Sequence, residues 1–212
     1  KEWHRINQFV LPFFTLISGV SDVVLRCFVP LDAHSSMLIT QLGNLNKPLT
    51  QEERTSRNWT DPYWPAGGYV PRTSDPHSYF HTVANRTNDY LRDYTVEKTE
   101  MVSGIPFVWN LQDRAMTEPM KNPNGEPIYD RTHEHLGTTD AFVIVVRRQL
   151  LRATKRLRDT GSPPANVEDP KLNRVRCASI LLPRNADWIK ETAATRNADS
   201  PTRIPEVPLG IQ

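Results

Sequence analysis

Cysteine is scarce in this chain of 212 residues, with only Cys27 and Cys177 present. They lie far apart and without metal-ligand spacing, which excludes a disulfide framework and predicts two structural thiols in a reducing, cytoplasmic compartment. Long hydrophobic runs are missing too. No stretch approaches the roughly 18 apolar residues of a membrane span, and no signal peptide is visible. Charge of one sign is lacking: the net charge of +2 is too small to argue for a nucleic-acid or membrane partner. Glycine is sparse at 9 residues against 18 prolines. Proline fixes φ and removes a donor, so the abundant loops are expected to be rigid. What remains, 38% hydrophobic and 24% charged residues, fits a globular protein of one domain or one domain with a small appendage. The opening Lys1-Glu2-Trp3-His4 has no Met and runs at once into apolar Phe9–Ile17, which predicts an N-terminally incomplete chain.

Asn7 to Ile17 reads as a buried strand, Pro12 marking an edge or bulge. Asp22 to Pro30 is a second strand, Leu31 to Ser35 a turn, and Ser36 to Leu42 a third strand pairing back. Short strands joined by tight turns make an antiparallel meander. From Gly43 to about Asp89 the chain is loop, with one helical turn expected at Thr50–Arg54. Loops of this length are functional lids, interface arms or disordered, and the aromatics of Trp59 to Tyr69 argue against disorder. Arg92 to Glu100 is polar, helical or extended. After Gly137-Thr138-Thr139-Asp140, a good helix start, Phe142, Val145, Val146, Leu150, Ala153 and Leu157 recur at helical spacing. Val143, Ile144 and Leu151 widen that face, so burial nearly all round is expected in the first turns. Arg147, Arg148, Arg152, Lys155, Arg156 and Arg158 suit the C-terminal end of the helix dipole, and read as a solvated face more readily than as a partner patch. Gly161-Ser162-Pro163-Pro164 ends the helix. Asn173 to Pro183 begins as a late edge strand, and an extended arm is expected from Trp188 onward.

The chemistry concentrates between Gly104 and Asp159. An apolar, aromatic segment, Ile105-Pro106-Phe107-Val108-Trp109-Asn110-Leu111, delivers one carboxylate, Asp113. As a metal ligand Asp113 would complete a site with two histidines, the facial arrangement that leaves positions open on ferrous iron. As a structural residue it would cap a helix running through Ala115 and Met116. The residues alone favour the cap. His77 and His81 would share a helix face as a divalent metal requires, but Pro71 and Pro76 favour a loop in which that spacing loses its meaning. His133-Glu134-His135 reads as loop polar side chains, and His4 and His34 as structural or solvated.

Four segments resemble a known family. Asn85-Arg86-Thr87-Asn88-Asp89-Tyr90, Gln112-Asp113-Arg114-Ala115-Met116-Thr117-Glu118-Pro119-Met120, Ile128-Tyr129-Asp130-Arg131 and Glu134-His135-Leu136-Gly137-Thr138-Thr139-Asp140 are similar to the catalytic domain of Rieske non-haem iron oxygenases. The nearest branch is that of phthalate dioxygenase and dehydrodivanillate O-demethylase. Glu118-Pro119-Met120 departs from the usual Glu-Ser-Met, and Lys121 to Gly125 are additional. The resemblance implies an α+β, helix-grip fold, a curved antiparallel sheet around a long C-terminal helix. Residues 1–190 would be a partial catalytic domain and 191–212 an extended tail. It further implies that Asp113 binds the mononuclear Fe(II), its two histidine partners lying upstream of this chain with the [2Fe–2S] cluster. NAD(P)H electrons would arrive through a reductase or ferredoxin, O₂ would hydroxylate or O-demethylate an aromatic substrate, and the subunits would form a trimer-like homo-oligomer. By position, Ile105, Phe107, Val108, Trp109, Asn110 and Met116 are the substrate-pocket candidates. The competing readings are a non-catalytic helix-grip module that binds an apolar small molecule, and a truncated structural subunit.

Overall fold

The computed structural model describes residues 1–18, 22–32, 35–44, 47–56, 68–75, 78–105, 109–120 and 131–202. Two compact units emerge: Lys1–Leu49 with His135–Gln212, and Thr50–Glu134. The short helices α1 (Gln51–Ser56) and α2 (Tyr94–Thr99) belong to the second unit and α5 (Ala165–Glu168) to the first.

In the first unit the N-terminal segment alternates half-buried and exposed side chains, Glu2, His4 and Ile6 on one face and Trp3 and Arg5 on the other, and forms strand β1 (Glu2–Ile6). Its antiparallel partner is β6 (Ala178–Leu182), in the register Glu2↔Leu182 to Ile6↔Ala178. The expected late strand is therefore present, and it pairs with an N-terminal strand that sequence periodicity missed. Asn7 then passes the chain into a second sheet, ordered β2 (Gln8–Val10), β3 (Phe14–Ser18), β4 (Asp22–Pro30) and β5 (Ser36–Asn44). The Asn7 side chain accepts the Ser18 N–H at this switch. The stretch read as one strand over 7–17 is instead two strands reversing through residues 11–13, with Pro12 in the turn after a cis peptide bond. Proline's missing donor suits a turn better than a ladder position. The meander β3-β4-β5 follows the expected order, pairing Phe14↔Cys27 to Ser18↔Val23 and then Asp22↔Asn44 to Pro30↔Ser36.

The buried centre of this unit is small and polar: Cys177, Ala178, Ser179 and Thr192 are fully covered, with Ser18 close behind. A buried hydroxyl is tolerated only when hydrogen-bonded. Ser179 Oγ accepts from the Trp3 indole at 2.7 Å, and the Thr192 hydroxyl donates to the Trp188 carbonyl at 2.6 Å. Beyond β6 the chain is not an extended arm. It forms α6 (Trp188–Glu191) and α7 (Ala193–Arg196). The Arg176 guanidinium then holds the following residues by donating to the Ala198, Ser200 and Thr202 carbonyls.

The long helix α4 (Ala141–Thr160) closes on Gly161, whose φ of 70° is the left-handed conformation a helix C-terminus demands. Burial of its first turns, expected from the wide apolar face, is not found: Phe142 is 56%, Val145 50% and Leu151 62% exposed. Among the described residues only a stripe including Val146, Leu150 and Ala153 is partly covered, because neither sheet lies over the rest of the face.

Burial pushes the Cys177 thiol up to about 11, so at pH 8 only roughly a thousandth is thiolate. Ellman's reagent should label Cys177 only as the chain unfolds. Rapid labelling of the native protein would contradict the packing of β6 on β1.

Candidate functional site

The second unit contains the sequence-predicted carboxylate. Its helix, α3 (Trp109–Thr117), starts four residues before Asp113, so Asp113 sits in mid-helix and the capping role is ruled out. Helical spacing divides α3 into two faces. Leu111 and Ala115 point inward, packing with Ala84, Tyr90 and Ile105. Positions 113 and 116 share the outer face, where Asp113 and Met116 are exposed. Among the described residues the Asp113 carboxylate has no hydrogen-bond or ion-pair partner.

Three polar side chains anchor the inner side of α3. Gln112 donates to the Ser103 hydroxyl and the Ile105 carbonyl. Arg114 donates through Nη1 to Thr82 Oγ1 at 2.6 Å and pairs through Nε with Glu118 Oε1 at 2.7 Å. The other Glu118 oxygen, Oε2, accepts from the buried Tyr90 hydroxyl at 2.8 Å. Thr82 in turn donates to the Ala84 carbonyl. The sequence motif around Tyr90 and the motif around Asp113 therefore meet through Glu118. Sequence reasoning assigned no role to Tyr90, Arg114 or Glu118; the spacing Arg114-x-x-x-Glu118 was the available signal.

Tyr90 reaches its partner from an unusual backbone. Asp89, Tyr90 and Leu91 take φ of 52°, 56° and 58° in succession. Such left-handed conformations cost side-chain-bearing residues of order ~1–3 kcal/mol each and persist only when neighbours fix them. Here Asn85 caps the turn, accepting from the Thr87 N–H, while the Asn85 and Asn88 amides both donate to the Val83 carbonyl. Gly104 supports the same region: its φ is 61°, and a Cβ there would lie 2.6 Å from the Asp93 carbonyl oxygen. Glycine alone fits so close an approach.

The remaining candidates divide. Ile105 belongs to the packed cluster and not to the exposed face. Trp109 and Asn110 occupy the first turn of α3; Phe107 and Val108 lie outside the described residues, as do His77 and residues 121–130. His81 is exposed on irregular backbone beside the Tyr69↔Thr82 bridge, so no helix aligns it for metal binding. His133 ends a single helical turn of three residues and His135 is exposed. No cluster of three His, Cys, Asp or Glu able to hold a metal exists among the described residues. A cavity of about 260 Å³ in the first unit is lined by Gln8, Phe9, Val10, Gln149 and Asn166. Its size falls below the ~300–1,000 Å³ of typical ligand pockets, and the Gln8 and Asn166 amides are already committed to backbone carbonyls.

No helix among the described residues is long and apolar enough to cross a membrane. The family described as LigXa C-terminal domain like matches residues 1–207. The chain is also 26% identical over 195 residues to the 3-chlorobenzoate-3,4-dioxygenase oxygenase subunit of Comamonas testosteroni, covering 89% of this chain and 44% of that protein. It thus spans less than half the length of this relative.

Two outcomes test the anchoring geometry. Gly104→Ala should lower stability by more than ~1 kcal/mol, read from the denaturant midpoint; an unchanged midpoint would contradict the contact with Asp93. Burial first, and then the hydrogen bond to Glu118, push the Tyr90 hydroxyl from 10 up to about 12. The folded state holds that proton more tightly, so the stabilisation is complete below pH 10 and is lost as pH rises toward 12. In an ultraviolet titration of the six tyrosines, one should ionise last, and Tyr90→Phe should remove that late step.

Proposed function

The chain belongs to the LigXa C-terminal domain-like family, and from that premise we propose that it is the catalytic-domain portion of a Rieske-type aromatic oxygenase. The observation that carries this reading is the family match over residues 1–207, joined by similarity to 44% of an oxygenase subunit. In this reading the substrate is an aromatic compound of the phthalate, methoxyaryl or halobenzoate kind, hydroxylated or O-demethylated with O₂. Electrons come from NAD(P)H through a separate reductase or ferredoxin. The assembled domain is a helix-grip fold in a trimer-like oligomer.

The described side chains fit one part of the iron site. Asp113 is exposed, unpartnered and carried by a helix pinned on its opposite face, as a single metal ligand needs to be. The described residues provide no complete ligand set. Cys27 and Cys177 are both buried and unsuited to a [2Fe–2S] cluster, which takes four ligands. In this reading the two histidines and the cluster are supplied from outside this chain, as the family resemblance implies. When bound, the iron supplies the activation of O₂. The contribution of this chain is to aim one carboxylate, and to present the outer face of α3, with Met116, as a wall for the substrate.

Asp113→Asn, made in the protein expressed from its complete reading frame, should abolish mononuclear iron binding and turnover while the visible absorption of the cluster persists. Purified alone, Lys1–Gln212 should take up no stoichiometric ferrous iron. If the Asp113→Asn protein keeps its iron, the ligand assignment fails; if the complete reading frame yields a protein with no iron, the chain is a binding module and the enzyme reading goes with it.

A further inference from the structure

Asp113 lies in the middle of α3 and Glu118 just beyond its last residue, Thr117, yet their surroundings are opposite. Both oxygens of Glu118 are in use, one by Arg114 Nε and one by the Tyr90 hydroxyl. Asp113 has no partner among the described residues. A carboxylate held between a guanidinium and a buried phenol is neutralised and fixed in orientation. A cation could take it only in competition with these two donors, and in the orientation they impose. The same bonds attach the C-terminal end of α3 to the strained segment 89–91, while Arg114 attaches it to Thr82. Rotation of the helix about its axis would break these contacts together, and Asp113 would turn with it.

We propose that Tyr90 and Glu118 are positioning residues for Asp113: their hydrogen bond, with the Arg114 ion pair, fixes the rotation of α3 and withdraws Glu118 from competition as a ligand. This rests on the reading of Asp113 as an iron ligand. Neither Tyr90 nor Glu118 touches the metal in this scheme; both act through the helix.

The test uses the protein expressed from its complete reading frame and measures ferrous iron affinity by chelator competition, beside the thermal midpoint. Tyr90→Phe keeps the ring and removes the hydroxyl, and Glu118→Gln keeps the shape and weakens both bonds. Each should lower iron affinity by about tenfold, the effect typical of removing a group that orients a ligand. Trp3→Phe serves as the control, because it deletes the comparable bond to Ser179 in the other unit; it should lower the midpoint and leave iron affinity unchanged. A merely structural role for Tyr90 would appear as a lowered midpoint with unchanged affinity, or as equal affinity losses in Tyr90→Phe and Trp3→Phe, and either result overturns the proposal. Asp113→Asn distinguishes the two levels. If it removes the iron and Tyr90→Phe has no effect on affinity, only the positioning role fails; if it leaves the iron in place, both fall.

Discussion

The pairing of β1 with β6 is the constraint on which the first unit depends. It joins residues near the two ends of the chain, and the Trp3 to Ser179 bond across it spans 176 positions. Closing so long a loop is less costly than the separation suggests. The entropic term grows only logarithmically, adding about 2 kcal/mol over a loop of some twenty residues. The ladder answers with satisfied backbone groups and with the burial of Cys177, Ala178, Ser179 and Leu182. It also sets the start of the second sheet, since a single residue separates β1 from β2. A buried centre built from small and hydroxyl-bearing side chains leaves little room for slippage. The Ser179 hydroxyl is partnered across the ladder by the Trp3 indole, and a shifted register would strand it.

In the second unit a different economy operates. Among the described residues its hydrophobic cluster is small, Ala84, Tyr90 and Leu111 with Ile105 and Ala115 around them, and polar bonds add to what apolar burial specifies about the rotation of a helix of nine residues. Gln112 and Arg114 of α3, and Glu118 just past its end, tie the helix to residues 103–105, Thr82 and Tyr90. The left-handed run at 89–91 is the counterpart of this arrangement: it brings Tyr90 under the helix at a cost in backbone energy, and the Asn85 and Asn88 amides hold it there. Strain of this kind clusters beside functional groups, and here it lies one hydrogen bond from the helix that carries Asp113.

Local signals were legible in the sequence and distant ones were not. The bounds of β4, Asp22–Pro30, follow from β-branched residues ended by turn residues, and Gly161 marks the end of α4 because a left-handed cap favours glycine. Strand β1 escaped because Glu2, His4 and Arg5 are polar and its partner lies at the far end of the chain. The start of α3 escaped for a related reason. An apolar, aromatic run before Asp113 resembles a strand leading to a cap, whereas the helix already begins at Trp109. On α4 the apolar positions were read correctly as a face, yet a face does not state what covers it, and Phe142 and Val145 are exposed. Asp113 stands out as the carboxylate after an apolar run, and resemblance favours its metal role over the cap; Tyr90 and Glu118, 28 positions apart, meet only in three dimensions.

If Asp113 is the iron ligand proposed above, the arrangement around it lets one carboxylate matter without binding a metal alone. A solvated aspartate competes poorly for ferrous iron, because water offers oxygen ligands at far higher concentration. Affinity arises when several ligands are already held at the right spacing, so that binding the first makes the others effectively intramolecular. In such a site each chain segment contributes orientation before it contributes binding energy. A helix free to rotate would sweep its carboxylate over several ångströms and forfeit that advantage. A helix fixed by Arg114 to Thr82, by Glu118 to Tyr90 and by Gln112 to the 103–105 segment keeps Asp113 at one azimuth. The inner face of α3 is thus the part of this unit on which a metal site completed elsewhere would depend.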